Sequence, residues 1–159
     1  MEKQPASRTC FVCGRQNRIS LKMEWYNDRE EKCVVSKITI PEAYNGYPGF
    51  VHGGIVAAIL DETAGRALMV DGDFDILMVT ASLNIKYLLP TPTNTPLRVK
   101  GWLVKGNAQR AKVKANLELE DGTITAKCDA VVVKPPREYF AAWKWESEKE
   151  HWRVYEEDQ

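Results

Sequence analysis

One stretch constrains the fold more than any other. IVAAILDETAGRALMV, residues 55–70, reads as a helix, while the patterned segments around it alternate with period two. Its alanines, leucines and isoleucines favour helix. Its first half is apolar on nearly every side, which predicts a buried helix rather than an amphipathic one. Asp71, Gly72 and Asp73 stop it. Before it, ISLKMEWY places Ile19, Leu21, Met23 and Trp25 on one face, and CVVSKITI is rich in β-branched residues, so two strands are predicted. After it, VTASLNIKY, LRVKGWLV, RAKVKANLELE and TITAKCDAVVV predict four more, the last pair joined by a turn at Asp121 and Gly122. Strands with one polar face form an antiparallel sheet with one wet side. The lone apolar helix is the cover for the other side, and strand twist curls the sheet around it. The expectation is an α+β chain, with an antiparallel sheet of about six strands wrapped around one long central helix.

The remaining segments are less patterned. Residues 1–9 read as a loose arm. The last stretch, residues 135–159, carries three of the five tryptophans among many charges. It predicts a short amphipathic helical segment packed on the domain, with an oligomer contact or a pocket wall as the sharper reading, since Trp favours interfaces. A length of 159 residues suits one domain.

Charge and cysteine usage narrow the function. Lys plus Arg and Asp plus Glu both number 22, so net charge is zero. A dedicated nucleic-acid binder needs a basic surplus, which argues against that class. No apolar run is long enough to span a bilayer, and MEKQPASRTC lacks the apolar core of a signal peptide. The reading is a cytosolic chain, with Cys10, Cys13, Cys33 and Cys128 as free thiols. Cys10 and Cys13 have the spacing of half a zinc site, but no second Cys pair exists, so no metal is expected. The plainer reading is a tight turn through CFVCG, with Gly14 relaxing the backbone.

Elimination isolates the chemistry. No nucleophile elbow, His-rich cluster or phosphate loop occurs. His151 lies in the charged C-terminal stretch, whereas His52 stands in VHGG just before the helix. Asp61 falls in the middle of the most apolar helix, so it faces a crevice or bears a large desolvation cost. Burial would raise its pKa toward that of a useful base. The structural alternative is a carboxylate satisfied by Arg66 or by backbone amides. Glu62 is turned about 100° from Asp61 and cannot share its role. Gly53 and Gly54 open the helix, where unsatisfied N–H groups and the helix dipole suit a carbonyl oxygen gaining negative charge. A flexible helix entry is the alternative there. Eight residues separate Gly53 from Asp61, about 12 Å along one helix. Reacting groups must approach one centre within about 3–3.5 Å. Two antiparallel helices from two subunits satisfy both conditions, so a symmetric dimer with two shared sites is expected.

The stretch PGFVHGGIVAAILDETAG resembles the hotdog-fold acyl-CoA thioesterases, especially the phenylacetate-pathway type and its animal relatives. In that family a His-Gly-Gly loop is followed, nine residues after the His, by an Asp or Glu, the spacing of His52 and Asp61. ASLNIKYLLPTP resembles the strand and proline loop that follow, and the likeness covers about residues 19–134. The resemblance implies hydrolysis of an acyl-CoA thioester without a cofactor. It implies Asp61 as nucleophile or as the base activating water, and the Gly53 amide polarising the carbonyl. His52 and Asn45 would hold that carbonyl or shape the loop, with Gly54 beside them. Thr80 would be the hydroxyl residue near the carboxylate, although simple alternation puts it on the polar face of its strand, within reach only of a partner subunit. A homodimer at least is implied, with homotetramers common. Two other readings stand beside it. A hotdog-fold acyl-CoA sensor would bind without turnover and would not need Asp61. A hotdog hydratase would carry a His five residues after its Asp, where this chain has Arg66.

Overall fold

The computed structural model describes residues 1–156. Seven strands form one antiparallel sheet: β1 (Glu2–Lys3), β2 (Tyr26–Asp28), β3 (Cys33–Thr39), β4 (Val79–Tyr87), β5 (Pro96–Gly106), β6 (Arg110–Leu119) and β7 (Ile124–Val133). Their order is β1-β2-β3-β5-β6-β7-β4. The central helix α1 (Gly53–Arg66) follows β3, and a short 3-10 turn, Ala67–Met69, extends it. The chain then crosses the sheet, so that β4 pairs with β7 and forms the far edge. No helix among the described residues is long and apolar enough to cross a membrane.

The core lies between α1 and the sheet. Val56, Ile59, Leu60, Thr63 and Ala64 are buried along one helix face, at the three- and four-residue spacing of an apolar stripe. They meet Val34, Leu97, Val99, Val113, Ala115, Leu117, Ala126 and Val132 of the sheet. Gly101 of β5 sets how closely the layers approach. A Cβ there would lie 2.6 Å from the Thr63 carbonyl oxygen. The helix is not buried all round, contrary to expectation. Ile55, Ala58, Asp61, Glu62 and Gly65 are only half-covered, because one sheet shields one side.

Three other expectations change. The strand expected over residues 19–26 shrinks to β2. Lys22 takes a left-handed φ of 55°. Leu21 and Met23 then donate to the carbonyls of Phe11 and Val12 instead of joining the sheet. The arm over residues 1–9 is not loose. It starts with β1, and buried Gln4 donates through Nε2 to the Arg66 carbonyl, satisfying a group at the helix C-terminus that has no partner within the helix. The C-terminal stretch forms two short helices, α2 (Arg137–Ala142) and α3 (Trp145–Glu148), broken where Lys144 turns left-handed, and neither buries a residue. Its anchors come later. Trp152 Nε1 donates to the Phe74 carbonyl, Tyr155 is buried, and Arg153 forms a bridge with Ala6.

Candidate active site

Asp61 sits two turns into α1 and turns toward β4. Thr80 Oγ1 donates to Asp61 Oδ1 at 2.7 Å. Simple alternation would not allow this within one chain, so the expectation for Thr80 is corrected. The cause is a β-bulge: Thr80 pairs with Val132 and Ser82 with Val131, which leaves Ala81 as an extra residue. The bulge shifts the phase, so Thr80 shares a face with Leu83, Ile85 and Tyr87. Asp61 and Thr80 open into a cleft of about 370 Å³ that is also walled by Met78, Val79 and Trp152. Trp152 thus gives the C-terminal stretch a part in this wall.

The other end of β4 reaches the other end of the helix's exposed face. Tyr87 Oη donates to the Gly53 carbonyl at 2.8 Å. His52 is the N-cap of α1, its Nδ1 accepting from Gly54 N–H at 2.9 Å. A side chain on Gly54 would crowd that ring, with a Cβ 3.1 Å from His52 Nδ1. Gly54 N–H is therefore occupied, whereas Gly53 N–H has no protein acceptor among the described residues. An open cleft of about 890 Å³ runs past Gly53, lined by His52, Phe50, Tyr87, Leu88 and Leu89. Asn45 belongs to the same loop and bridges Val51. It is not part of the cleft wall, and its Oδ1 is buried without a partner.

The residues picked out in the sequence therefore fall into two groups. His52, Gly53 and Gly54 stand at the helix N-terminus, where His52 and Gly53 line one cleft, Asp61 with Thr80 lines another two turns on, and Asn45 lies in the loop outside both. Tyr87, which nothing in the sequence motifs singles out, joins the first group through its bond to Gly53.

Arg66 pairs with Glu62 and not with Asp61: Nε donates to Glu62 Oε1 at 3.0 Å. Arg66 is buried, lies 4.1 Å above the Trp25 ring, and donates through Nη1 to the Pro5 carbonyl. Burial raises the Glu62 carboxyl to about 7 in spite of that pairing. Cys10 and Cys13 lie against this carboxylate, with ligand atoms of all three within 4.8 Å of one another. The Cys13 thiol donates to Ser7 Oγ at 3.7 Å, and the closeness of the two thiols pulls Cys10 down to about 6 and, with burial, pushes Cys13 up. Pairing of cysteines in the sequence could not reveal Glu62, which is 49 positions beyond Cys13. Gly14 is required for a reason other than the one expected. Its N–H donates to the Cys10 carbonyl at 2.7 Å, and a Cβ would collide with that carbonyl.

A curled antiparallel sheet around one helix, with a carboxylate and a helix N-terminus on one exposed edge, defines a hotdog-type protein. A thioesterase superfamily model matches residues 48–126 of this chain, and the fold is that of the hotdog thioesterases. Acyl-coenzyme A thioesterase THEM4 of Rattus norvegicus is 28% identical over 134 residues, 84% of this chain and 56% of that protein. The chain thus spans about half the length of the curated relatives it matches. A thioesterase superfamily protein of known crystal structure is 27% identical, with a TM-score of 0.72 over 79% of this chain and 63% of the other. A putative thioesterase of Ralstonia eutropha related to phenylacetic acid degradation shares the fold at 23% identity, with a TM-score of 0.63 over 72% of this chain and 86% of that one.

Proposed function

We propose that the chain hydrolyses an acyl-CoA thioester to the free acid and CoA, with Asp61 as nucleophile or as the base that activates water. The observation that carries this reading is the pairing of a fixed carboxylate with an unoccupied helix N-terminus on the same strand edge. Thr80 orients one Asp61 oxygen, and Asp61 itself lines the cleft. Gly53 N–H offers a donor, strengthened by the helix dipole, to a carbonyl oxygen that gains charge as the thioester is attacked. His52 supports that donor by capping the helix, and its role at the carbonyl is therefore indirect. The apolar walls beside Gly53 suit the pantetheine arm or the acyl chain. The activity in the name of the rat relative agrees with this assignment. Four unpaired thiols suit a reducing compartment such as the cytosol.

The active unit is a two-fold dimer. β4 is an edge strand and is exposed along most of its length, and edges of this kind template pairing with another chain. A two-fold axis through the middle of β4 reverses the strand. It brings the Thr80 and Asp61 end of one chain beside the Tyr87 and Gly53 end of the other, which closes the gap of about 12 Å along the helix. The test is release of free thiol across a panel of acyl-CoA substrates, for the wild type and Asp61→Asn. Turnover should fall by at least about 10²-fold in the variant, with an unchanged melting temperature. Near-normal turnover in folded Asp61→Asn removes Asp61 from the reaction.

A further inference from the structure

The reaction above makes no use of Cys10, Cys13 and Glu62, and their arrangement carries an inference that does not rest on it. The two thiols come from a turn in the N-terminal arm, the carboxylate from the central helix. All their ligand atoms lie within 4.8 Å of one another. A tetrahedral zinc ion with Zn–S bonds of about 2.3 Å holds its sulfurs about 3.8 Å apart, and a carboxylate oxygen about 3.6 Å from each. The three groups need to contract by only about 1 Å to meet that geometry. The turn is built for thiolates: Val12 N–H points at Cys10 Sγ at 3.3 Å and Ser7 N–H at Cys13 Sγ at 3.5 Å. Gly14 permits the close approach that tightens it.

Charge supplies a second, independent argument. Two thiolates and a carboxylate so close together repel one another, and a divalent cation removes that repulsion. One negative charge would remain, and buried Arg66, already bonded to Glu62, balances it. Arg66 Nη2 is buried with no acceptor among the described residues, which marks the surroundings of the cluster as incomplete. A carboxylate can serve both partners, since its two oxygens accept several bonds. Thiolate with carboxylate suits zinc rather than magnesium or calcium, which prefer all-oxygen shells.

We propose that Cys10, Cys13 and Glu62 form a Zn²⁺ site, with water as fourth ligand, that fastens the N-terminal arm to the central helix next to Asp61. The ion acts as a clip and takes no part in thioester cleavage.

The experiment uses the whole chain, reduced and freed of metal, titrated with Co²⁺ and then Zn²⁺. One equivalent of Co²⁺ should give a thiolate-to-metal charge-transfer band in the near ultraviolet and tetrahedral d–d bands. Zn²⁺ should displace both, and melting temperature should rise with added Zn²⁺. Cys10→Ser should lose the charge-transfer band or weaken it to that of one thiolate. Glu62→Gln should bind Co²⁺ at least about tenfold more weakly while remaining folded by circular dichroism. The proposal is overturned if no charge-transfer band forms, or if folded Glu62→Gln binds as tightly as the wild type. In the latter case the cysteine pair alone chelates the ion and the arm is not clipped to the helix. Should Cys10→Ser fail to fold, the Glu62→Gln titration still decides.

Discussion

Thr80 bonds Asp61 and His52 accepts from Gly54 N–H, each through one hydrogen bond, and substitutions there separate positioning from folding. Thr80→Val keeps the shape but removes the bond to Asp61. A hydrogen bond to a charged group contributes about 1.5–3 kcal/mol, so turnover should fall at least about tenfold, whereas Thr80→Ser should retain it. Steady-state rates of the two variants check this. His52→Ala removes the acceptor for Gly54 N–H and should cost about 1 kcal/mol of stability, and His52→Asn, a good N-cap, should recover most of it. Urea midpoints read that difference. Glu62 gives a pH signature in the metal-free chain. Its folded pKa is raised from 4.5 to about 7, chiefly by burial. Between these values the unfolded chain has lost the proton and the folded chain still holds it, so stability should fall as pH rises through this window. Glu62→Gln cannot titrate and should lack that slope, which is worth on the order of 1–3 kcal/mol. Parallel urea midpoints for the two proteins at pH 5 and pH 7.5 would contradict it.

The elements were legible in the sequence wherever the pattern was long and unbroken. β5, β6 and β7 follow their alternation except at bulges that leave Val104 and Thr125 as extra residues, and the last hairpin turns at Gly122 with the positive φ that the Asp-Gly pair implies. Alternation failed where a single residue changed phase. Lys22 diverts residues 19–25 from the sheet, and the bulge at Ala81 sends Thr80 to the helix side. Neither residue belongs to a type that announces such a change. The packing of α1 on β5 gives a prediction at this scale. Gly101→Ala places a methyl group 2.6 Å from backbone, which cannot move as a side-chain end could, so a loss of about 1–3 kcal/mol in a denaturant titration is expected. A neutral result would mean that helix and sheet can separate freely there.

At the scale of the whole molecule, the two clefts make assembly part of the proposed chemistry. Gly53 and Asp61 each lie in a separate cleft of one chain, and β4 links the two groups through Tyr87 and Thr80. Sedimentation should show a dimer at assay concentrations, and specific activity should fall on dilution as the dimer dissociates. A monomer with full activity would rule out the shared site. Both termini also serve the helix. Gln4 binds its last turn, Trp152 walls the Asp61 cleft, and Arg8 pairs with Glu148 to join the two ends of the chain.

The sequence by itself determined the helix, the strands after it, and the offset that sets His52 nine residues before Asp61. Those features are local: side-chain period, turn chemistry and helix spacing act over a few residues. The tertiary structure decided which groups meet. Asp61 rather than Glu62 bonds Thr80, Arg66 takes Glu62, and the Cys10 and Cys13 turn comes to rest against the same carboxylate. Adjacent residues on a helix diverge by about 100°, so neighbours such as Asp61 and Glu62 take different partners even though both line one cleft. Which surface lies opposite is fixed only when distant strands pair and the arm packs down.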